Sequence, residues 1–339
     1  MTSVSNSAGA VSGAVPAIAT PAASGLRNPT LLMFAGLIVV GSVAPFVVYP
    51  TLLMKLLCFA LFACAFNLLL GFAGLLSFGH AAFFGGSAYI TGYLCRDLGL
   101  TPELGLLAGT IFGGALGALF GLIAIRRAGI YFAMITLGLA QIVFFLALQM
   151  KFTGGEDGMQ GIPRGKLFGV VDLNDNIAMY FFVFAVFLGG FWLIYRTIHS
   201  PFGQILKAIR DNEARAISLG YDVNRFKLLA FVISAALTGL AGATKSLVFQ
   251  LASLADVHWH TSGDVVLMTL LGGLGTILGP VAGAVTIVGL ENVLADKVGS
   301  WVAVIMGSIF VVCVLLFRRG LVGEISALFS KIRSKAARP

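Results

Sequence analysis

From residue 30 to residue 317 the chain is written almost entirely in apolar runs about as long as a lipid bilayer is thick. A helix needs roughly 20 apolar residues to cross the hydrocarbon core. Ten runs are candidate spans, several of them short: 30–49, 52–70, 81–95, 104–125, 129–150, 177–195, 226–250, 264–280, 281–296 and 299–317. Hydrocarbon offers no hydrogen-bond partners, so such runs must satisfy their backbone groups internally, as helices. Composition agrees: only 11% of the 339 residues are charged and 58% are hydrophobic, whereas a soluble domain carries roughly 25% charged residues. The expected fold is an all-α integral membrane bundle of about ten transmembrane helices, interrupted by discontinuous Gly-rich segments.

The net charge of +8 does not point to nucleic acid. Most of its bases sit at Arg126-Arg127, between Arg196 and Lys227, and from Arg318 to Arg338, flanking apolar runs. Cytoplasmic loops carry such an excess of Lys and Arg. The loop 151–176 holds three bases against four acids, while 196–227 holds six against three. With ten crossings these loops fall on opposite sides, which predicts N-in and C-in. Residues 1–29 lack the basic n-region of a signal peptide and are expected to form a disordered cytoplasmic tail. Residues 30–317 form the transmembrane domain, with the loop 196–225 inside, and 318–339 form a basic cytoplasmic tail.

Within the run 104–125, Gly105, Gly109, Gly113, Gly117 and Gly121 recur every four residues. That spacing places them on one helix face, where another backbone can approach closely. Ala230, Ser234, Thr238, Gly242 and Ser246 form a related seam. Both are read as packing faces, with a homodimer seam as the alternative. Cys58, Cys64 and Cys313 lie inside apolar runs, and with Cys95 they form no metal-ligand spacing. They are expected to pack as small hydrophobes.

Three features point to function. The first is a pair of helix breaks. Asn67, Gly71, Gly74, Ser77, Gly79 and His80 would not stand together in an ordinary spanning helix, nor would the glycines Gly272, Gly273, Gly275 and Gly279 before Pro280. Non-helical backbone at membrane depth lines a cavity or is buried in protein, and broken helices mark transporter substrate sites. Both segments open Gly-x-x-Gly, which allows a degenerate internal repeat. A tight turn between two short helices is the structural alternative.

The second feature lies in the inner loop. Ser200-Pro201 reads as N-cap and first helical residue. Ile205, Leu206, Ile209, Ala216 and Ile217 then form an apolar stripe, Asp211 and Arg215 an i,i+4 pair, and Gly220 the stop. The stripe must bury itself on the membrane surface or on a partner, and the residues alone leave both open. The third feature is a set of polar residues within runs. Lys55, Lys245 and Asp264 sit near run ends and can snorkel. Asn67 and Thr136 are placed on the translocation path, and Glu291 is the least explained ionisable residue. His258 and His260, flanking Trp259, are too few for a metal site, so no metal is expected.

No P-loop, Gly-x-Ser-x-Gly or His-Glu-x-x-His motif occurs, so the chain carries no engine of its own. Four blocks together bear a resemblance: Asn67–Tyr89; Gly129–Gly138 leading to Thr153-Gly-Gly155 and Gly161-Ile-Pro163; Gly203–Gly242; and Asp264–Gly283. The most specific parts are Gly71–His80 and Ala208-Ile-Arg-Asp-Asn-Glu-Ala-Arg-Ala216 with Leu219-Gly220. In these the chain resembles the LivM branch of the branched-chain amino-acid ABC permeases, whose members include urea and amide importers. The resemblance implies a permease subunit of a bacterial inner-membrane importer, translocating branched-chain or other small hydrophobic amino acids. It implies as partners a homologous LivH-like permease, two cytoplasmic ATPases and a periplasmic substrate-binding protein. ATP and Mg would sit on the ATPases, and this chain would bind no cofactor. Lys207, Arg210, Asp211, Glu213, Ala214, Arg215 and Gly220 would then belong to the loop that couples to an ATPase. One departure stands out: after Glu213-Ala214-Arg215 the glycine comes one position later than in the general importer loop. The rivals are a urea or amide importer, a secondary transporter or channel using Glu291, and a membrane enzyme built around His258 and His260.

Overall fold

The computed structural model describes residues 29–169, 171–301 and 304–308, together with 311, 320 and 323. It divides at Ser42/Val43. The N-terminal unit carries nearly all of helix α1 (Pro29–Val43), fifteen residues without a charge. The second unit contains α2 (Pro50–Asn67), α3 (His80–Arg96), α4 (Pro102–Ala124), α5 (Ile130–Gln149), α6 (Asn176–His199), α7 (Pro201–Asp211), α8 (Glu213–Ser218), α9 (Val223–Phe249), α10 (Trp259–Gly272) and α11 (Gly279–Val298). The tails expected over 1–29 and 318–339 lie almost wholly outside the described residues. So does most of the run 299–317, of which 304–308 is helical.

The helices start where local chemistry predicts. Proline opens α2, α4 and α7, at a position whose N–H would have no intrahelical partner. Side chains cap others. Asp175 accepts from the backbone of Ile177 and Ala178 at the start of α6, Ser200 from Gly203 in α7, Asn212 from Arg215 in α8, and Asp222 from Arg225 in α9. Among the described residues, five helices are long and apolar enough to cross a membrane: Pro50–Phe72, Pro102–Ala124, Ile130–Gln149, Asn176–His199 and Val223–Phe249. These five, counted together with the shorter helices α3, α10 and α11, make the chain a multi-span helical membrane protein. The run 264–280 corresponds to a shorter and displaced helix. α10 begins at Trp259 and stops at Gly272, because Gly273 and Gly275 take φ of 118° and 71°, which no helix accommodates.

Helix α9 is the centre, packed against α2, α3 and α4, while α2 also meets α6, α10 and α11. The glycine row of α4 lies against α3 and α9. A Cβ on Gly113 would stand 2.9 Å from the Ala235 carbonyl oxygen and 3.0 Å from Gly239 Cα, and one on Gly121 2.6 Å from Leu228. Gly105 faces Cys95, Gly109 faces Thr91, and Gly117 faces Ala235. The row on α9 turns the other way, with Gly242 against the Phe84 carbonyl of α3. Two small-residue faces let one helix carry neighbours on both sides at backbone distance. The outer faces are apolar instead: Leu107, Ile111 and Leu119 of α4 and Met134, Ile142 and Phe145 of α5 are exposed. A surface of that size would aggregate in water and is at home in lipid.

Helix α9 is 27 residues long, about 40 Å, and its two ends mark the two ends of the bundle. At its start lie α7, α8 and Arg126. At its finish lies the loop 150–175, pinned by a two-residue antiparallel ladder of Met159–Gln160 with Leu251–Ala252. Arg164 adds bonds to the Val248 carbonyl (2.7 Å) and Asn176 Oδ1 (3.0 Å). Burial lowers the Arg164 pKa from the usual guanidinium range.

Candidate functional site

The two helix breaks meet at one place. After Asn67 the helix widens into a π-helical turn over Leu68–Phe72, and Gly74 then leaves it with φ 73°. Gly275, the second glycine of the other Gly-x-x-Gly, has φ 71°. Asn67 joins the breaks: its Nδ2 donates to the Thr276 carbonyl (2.8 Å) and its Oδ1 accepts from the Gly275 N–H (3.1 Å). Both backbone groups have left a helix inside the protein, where an unmet hydrogen bond is costly. The approach needs glycine, since a Cβ on Gly71 would lie 2.7 Å from the Gly275 nitrogen. Behind the junction α10 and α11 are similarly close, Gly272 facing the Gly279 carbonyl and Gly283 that of Met268.

Helix α7, in the loop 196–225, reaches this junction. Arg210 Nη1 donates to the Gly71 carbonyl at 2.6 Å, a charge-assisted bond to backbone freed by the π turn. Its stem covers Gly74, and Lys207 lies over the Phe72 ring, 5.6 Å from the centroid. The apolar stripe of α7 and α8 is buried through Leu206, Ile209 and Ala216, while Ile217 and Leu219 stay exposed. Glu213 bonds Lys227 at 2.7 Å, fixing α8 to α9. The expected Asp211–Arg215 pair does not form. Asn212 is extended (φ −158°, ψ 97°) and breaks the helix between them, and Asp211 bonds Arg210 at 2.9 Å instead. Gly220 is the stop, with φ 87° and the Tyr221 N–H returned to the Ala216 carbonyl.

Deeper in, the α2–α3 linker is a buried turn. His80 opens α3 beside Ser234, eleven residues into α9, which is about 16 Å along its axis. Ser234 Oγ gives its one hydrogen to the Ala65 carbonyl (2.6 Å), so His80 Nε2 must donate to Ser234 (3.0 Å). That fixes the neutral Nε2–H tautomer. The ring is caged by Phe66, Phe83 and Phe231. Thr136 of α5 accepts from the Phe78 N–H (3.2 Å) and Ser77 from that of Gly79 (3.2 Å).

At the opposite end, a cavity of about 870 Å³ opens among α2, α5, α9, α10 and α11. Lys55, Lys245, Asp256, Asp264 and Glu291 stand on its walls among Phe59, Phe144, Met268 and Ile287. Lys55 pairs with Glu291 at 3.3 Å. Lys245 is bonded to Asp256, whose other oxygen accepts from Ser253 Oγ (2.9 Å). His258 caps α10 through the His260 N–H, and the two rings stack at 5.0 Å. Partial burial, and then the nearby His260, lower the His258 pKa from the usual histidine range.

Residues 48–317 match the family described as the branched-chain amino acid transport system permease component. This chain belongs to that family. It is similar to the high-affinity branched-chain amino acid transport system permease protein LivM of Salmonella typhimurium, 27% identical over 307 residues, covering 83% of this chain and 72% of the relative. The LivM protein of Escherichia coli is 28% identical over 315 residues with the same coverage. The autoinducer 2 import system permease protein LsrC of Klebsiella pneumoniae is 32% identical over 202 residues, covering 56% and 53%. No solved structure matches the chain.

In this permease the residues expected on the path separate into three places. Asn67, Gly71, Gly74, Gly272 and Gly275 are gathered at the closed junction. Ser77, Gly79, His80 and Thr136 form the buried turn above it. Glu291 lies at the far cavity. Sequence reasoning treated Lys245 as a snorkelling end residue, but it points inward to Asp256. It missed Arg210's bond to Gly71 and the Glu213–Lys227 pair altogether. A lysine at the first turn of an apolar run, as Lys227 is, was the available signal.

Proposed function

We propose that this permease is one membrane subunit of an ATP-driven, binding-protein-dependent importer of branched-chain or other small hydrophobic amino acids. It lies in the bacterial inner membrane with both termini in the cytoplasm. Its partners are a homologous second permease, two cytoplasmic ATPases that hold ATP and Mg, and a periplasmic binding protein. The family supports the transport role, and the names of the LivM relatives support the substrate.

The observation that carries the coupling assignment is Arg210 on Gly71. A surface helix that merely lay on lipid would have no reason to send a guanidinium 2.6 Å from the carbonyl of an unwound turn. The exposed side of the loop offers Asp211, Ala214, Arg215, Ile217 and Leu219 to a partner, a mixture of charge and apolar contact suited to docking. A push there is delivered through Arg210 to the junction of the two breaks. The junction closes the inner end while the cavity opens the outer one, so moving it is the natural step in alternating access.

The test is uptake by the assembled complex in proteoliposomes. Arg210→Gln should keep its ATPase subunits and hydrolyse ATP while leucine uptake falls about tenfold, the equivalent of about 1.4 kcal/mol of lost coupling. Uptake at the parental rate refutes the coupling assignment. Gradient-driven uptake by the chain alone, without ATP, refutes the importer.

A further inference from the structure

The charges on the outer cavity are not equally free. Lys245 and Asp256 are nearly closed off, at 13% and 7% side-chain exposure, and Ser253 holds the second carboxylate oxygen through its N–H and hydroxyl. That pair is structural. Lys55 and Glu291 are 29% and 48% exposed and touch at 3.3 Å through one oxygen, leaving donor and acceptor capacity facing the cavity. Asp264 is exposed on the wall and has no hydrogen-bond or ion-pair partner among the described residues. The ionisable groups that act on it are Glu291, His260 and Lys55.

Apart from His258 and His260 on the same wall, the free set is therefore one cation and two carboxylates, an excess of one negative charge. A carboxylate within a membrane bundle without a partner is costly to keep, and a bound cationic group would relieve it. Lys55 stands ready for an anionic group on the same ligand. Phe59, Phe144 and Ile287 line the space between with apolar surface. The volume, about 870 Å³, lies within the usual range for small-molecule sites. A ligand with an ammonium, a carboxylate and a short apolar side chain fits every part of that wall.

We propose that this cavity is a binding site for a zwitterionic α-amino acid, with Asp264 holding its ammonium, Lys55 its carboxylate, and Phe59, Phe144 and Ile287 its side chain. It rests on the importer reading above and supplies that reading with a site for the substrate on its outward-facing side. Lys55 is drawn partly from Glu291 when the carboxylate enters, so Glu291 can share the ammonium. The floor is Met268, one turn above Gly272, and the closed junction keeps the ligand from passing further.

The assembled complex tests this with Thr261→Cys as a reporter on the cavity wall, Cys313 being replaced by Ser. A membrane-impermeant thiol reagent is applied from outside in the absence of ATP. Leucine should slow labelling about tenfold at a concentration about nine times its Kd. 4-Methylpentanoate, which lacks the ammonium, should not protect. Asp264→Asn should abolish protection by leucine and Asp264→Glu should retain it. Equal protection by 4-methylpentanoate, undiminished protection in Asp264→Asn, or protection by Mg²⁺ or Ca²⁺ but not leucine would each overturn the site. ATP-driven leucine uptake by the reporter complex is measured in parallel. Uptake without protection refutes the cavity and leaves the importer standing; no uptake by a complex that hydrolyses ATP refutes the importer reading for this substrate.

Discussion

The two ends of the bundle solve opposite problems with different residues. At the end where α7 and α8 lie, Gly71, Gly272, Gly275 and Gly283 bring backbone to backbone, and one amide side chain, Asn67, takes up the groups left over. At the opposite end the helices stand apart, and charged and aromatic side chains face a cavity. Along α2 the two regions are twelve residues apart, Lys55 to Asn67, or about 18 Å. Where side chains are absent, the two backbones lie in direct contact. Where they are long, charged groups stand on the wall of an open space. The difference teaches that glycines let backbones meet, whereas long charged and aromatic side chains hold helices apart around a cavity.

Substitutions should separate the two regions sharply. Gly272→Val places a branched side chain onto the Gly279 carbonyl, and overpacking against backbone that cannot give way falls at the upper end of the usual range, about 3 kcal/mol. Folded yield by size exclusion should collapse, whereas Thr261→Val on the open wall should express like the parent. Equal yields would mean the inner end is looser than its geometry. Asn67→Ala strands the Gly275 N–H and the Thr276 carbonyl, for about 2–4 kcal/mol, seen as a fall in melting temperature in detergent. A melt unchanged from the parent would remove Asn67 as the clamp. Glu291→Gln should cost least, under about 1 kcal/mol, because its pair with Lys55 is partly exposed. A loss as large as that of Asn67→Ala would make the outer pair a structural lock.

Much of this was legible in the residues because it is local. Apolar length placed the helices, Ser200-Pro201 and Gly220 bounded the inner-loop helices, and the four-residue glycine period predicted a close face on α4. The run 264–280 was misjudged because hydropathy does not register φ, and Gly273 and Gly275 are apolar by composition while ending a helix by conformation. The Asp211–Arg215 pair failed for a similar reason, since Asn212 can serve as helix interior or as cap, and here it caps.

The sequence by itself determined that the chain spans a membrane as broken helices with an amphipathic loop over 196–225, since hydropathy, period and capping act over a few neighbouring residues. Only the tertiary structure decided what each break meets. Asn67 finds Gly275 across 208 residues, Arg210 finds Gly71 across 139, and Lys55 finds Glu291 across 236. Such pairs depend on how whole helices pack around α9, which no local pattern encodes.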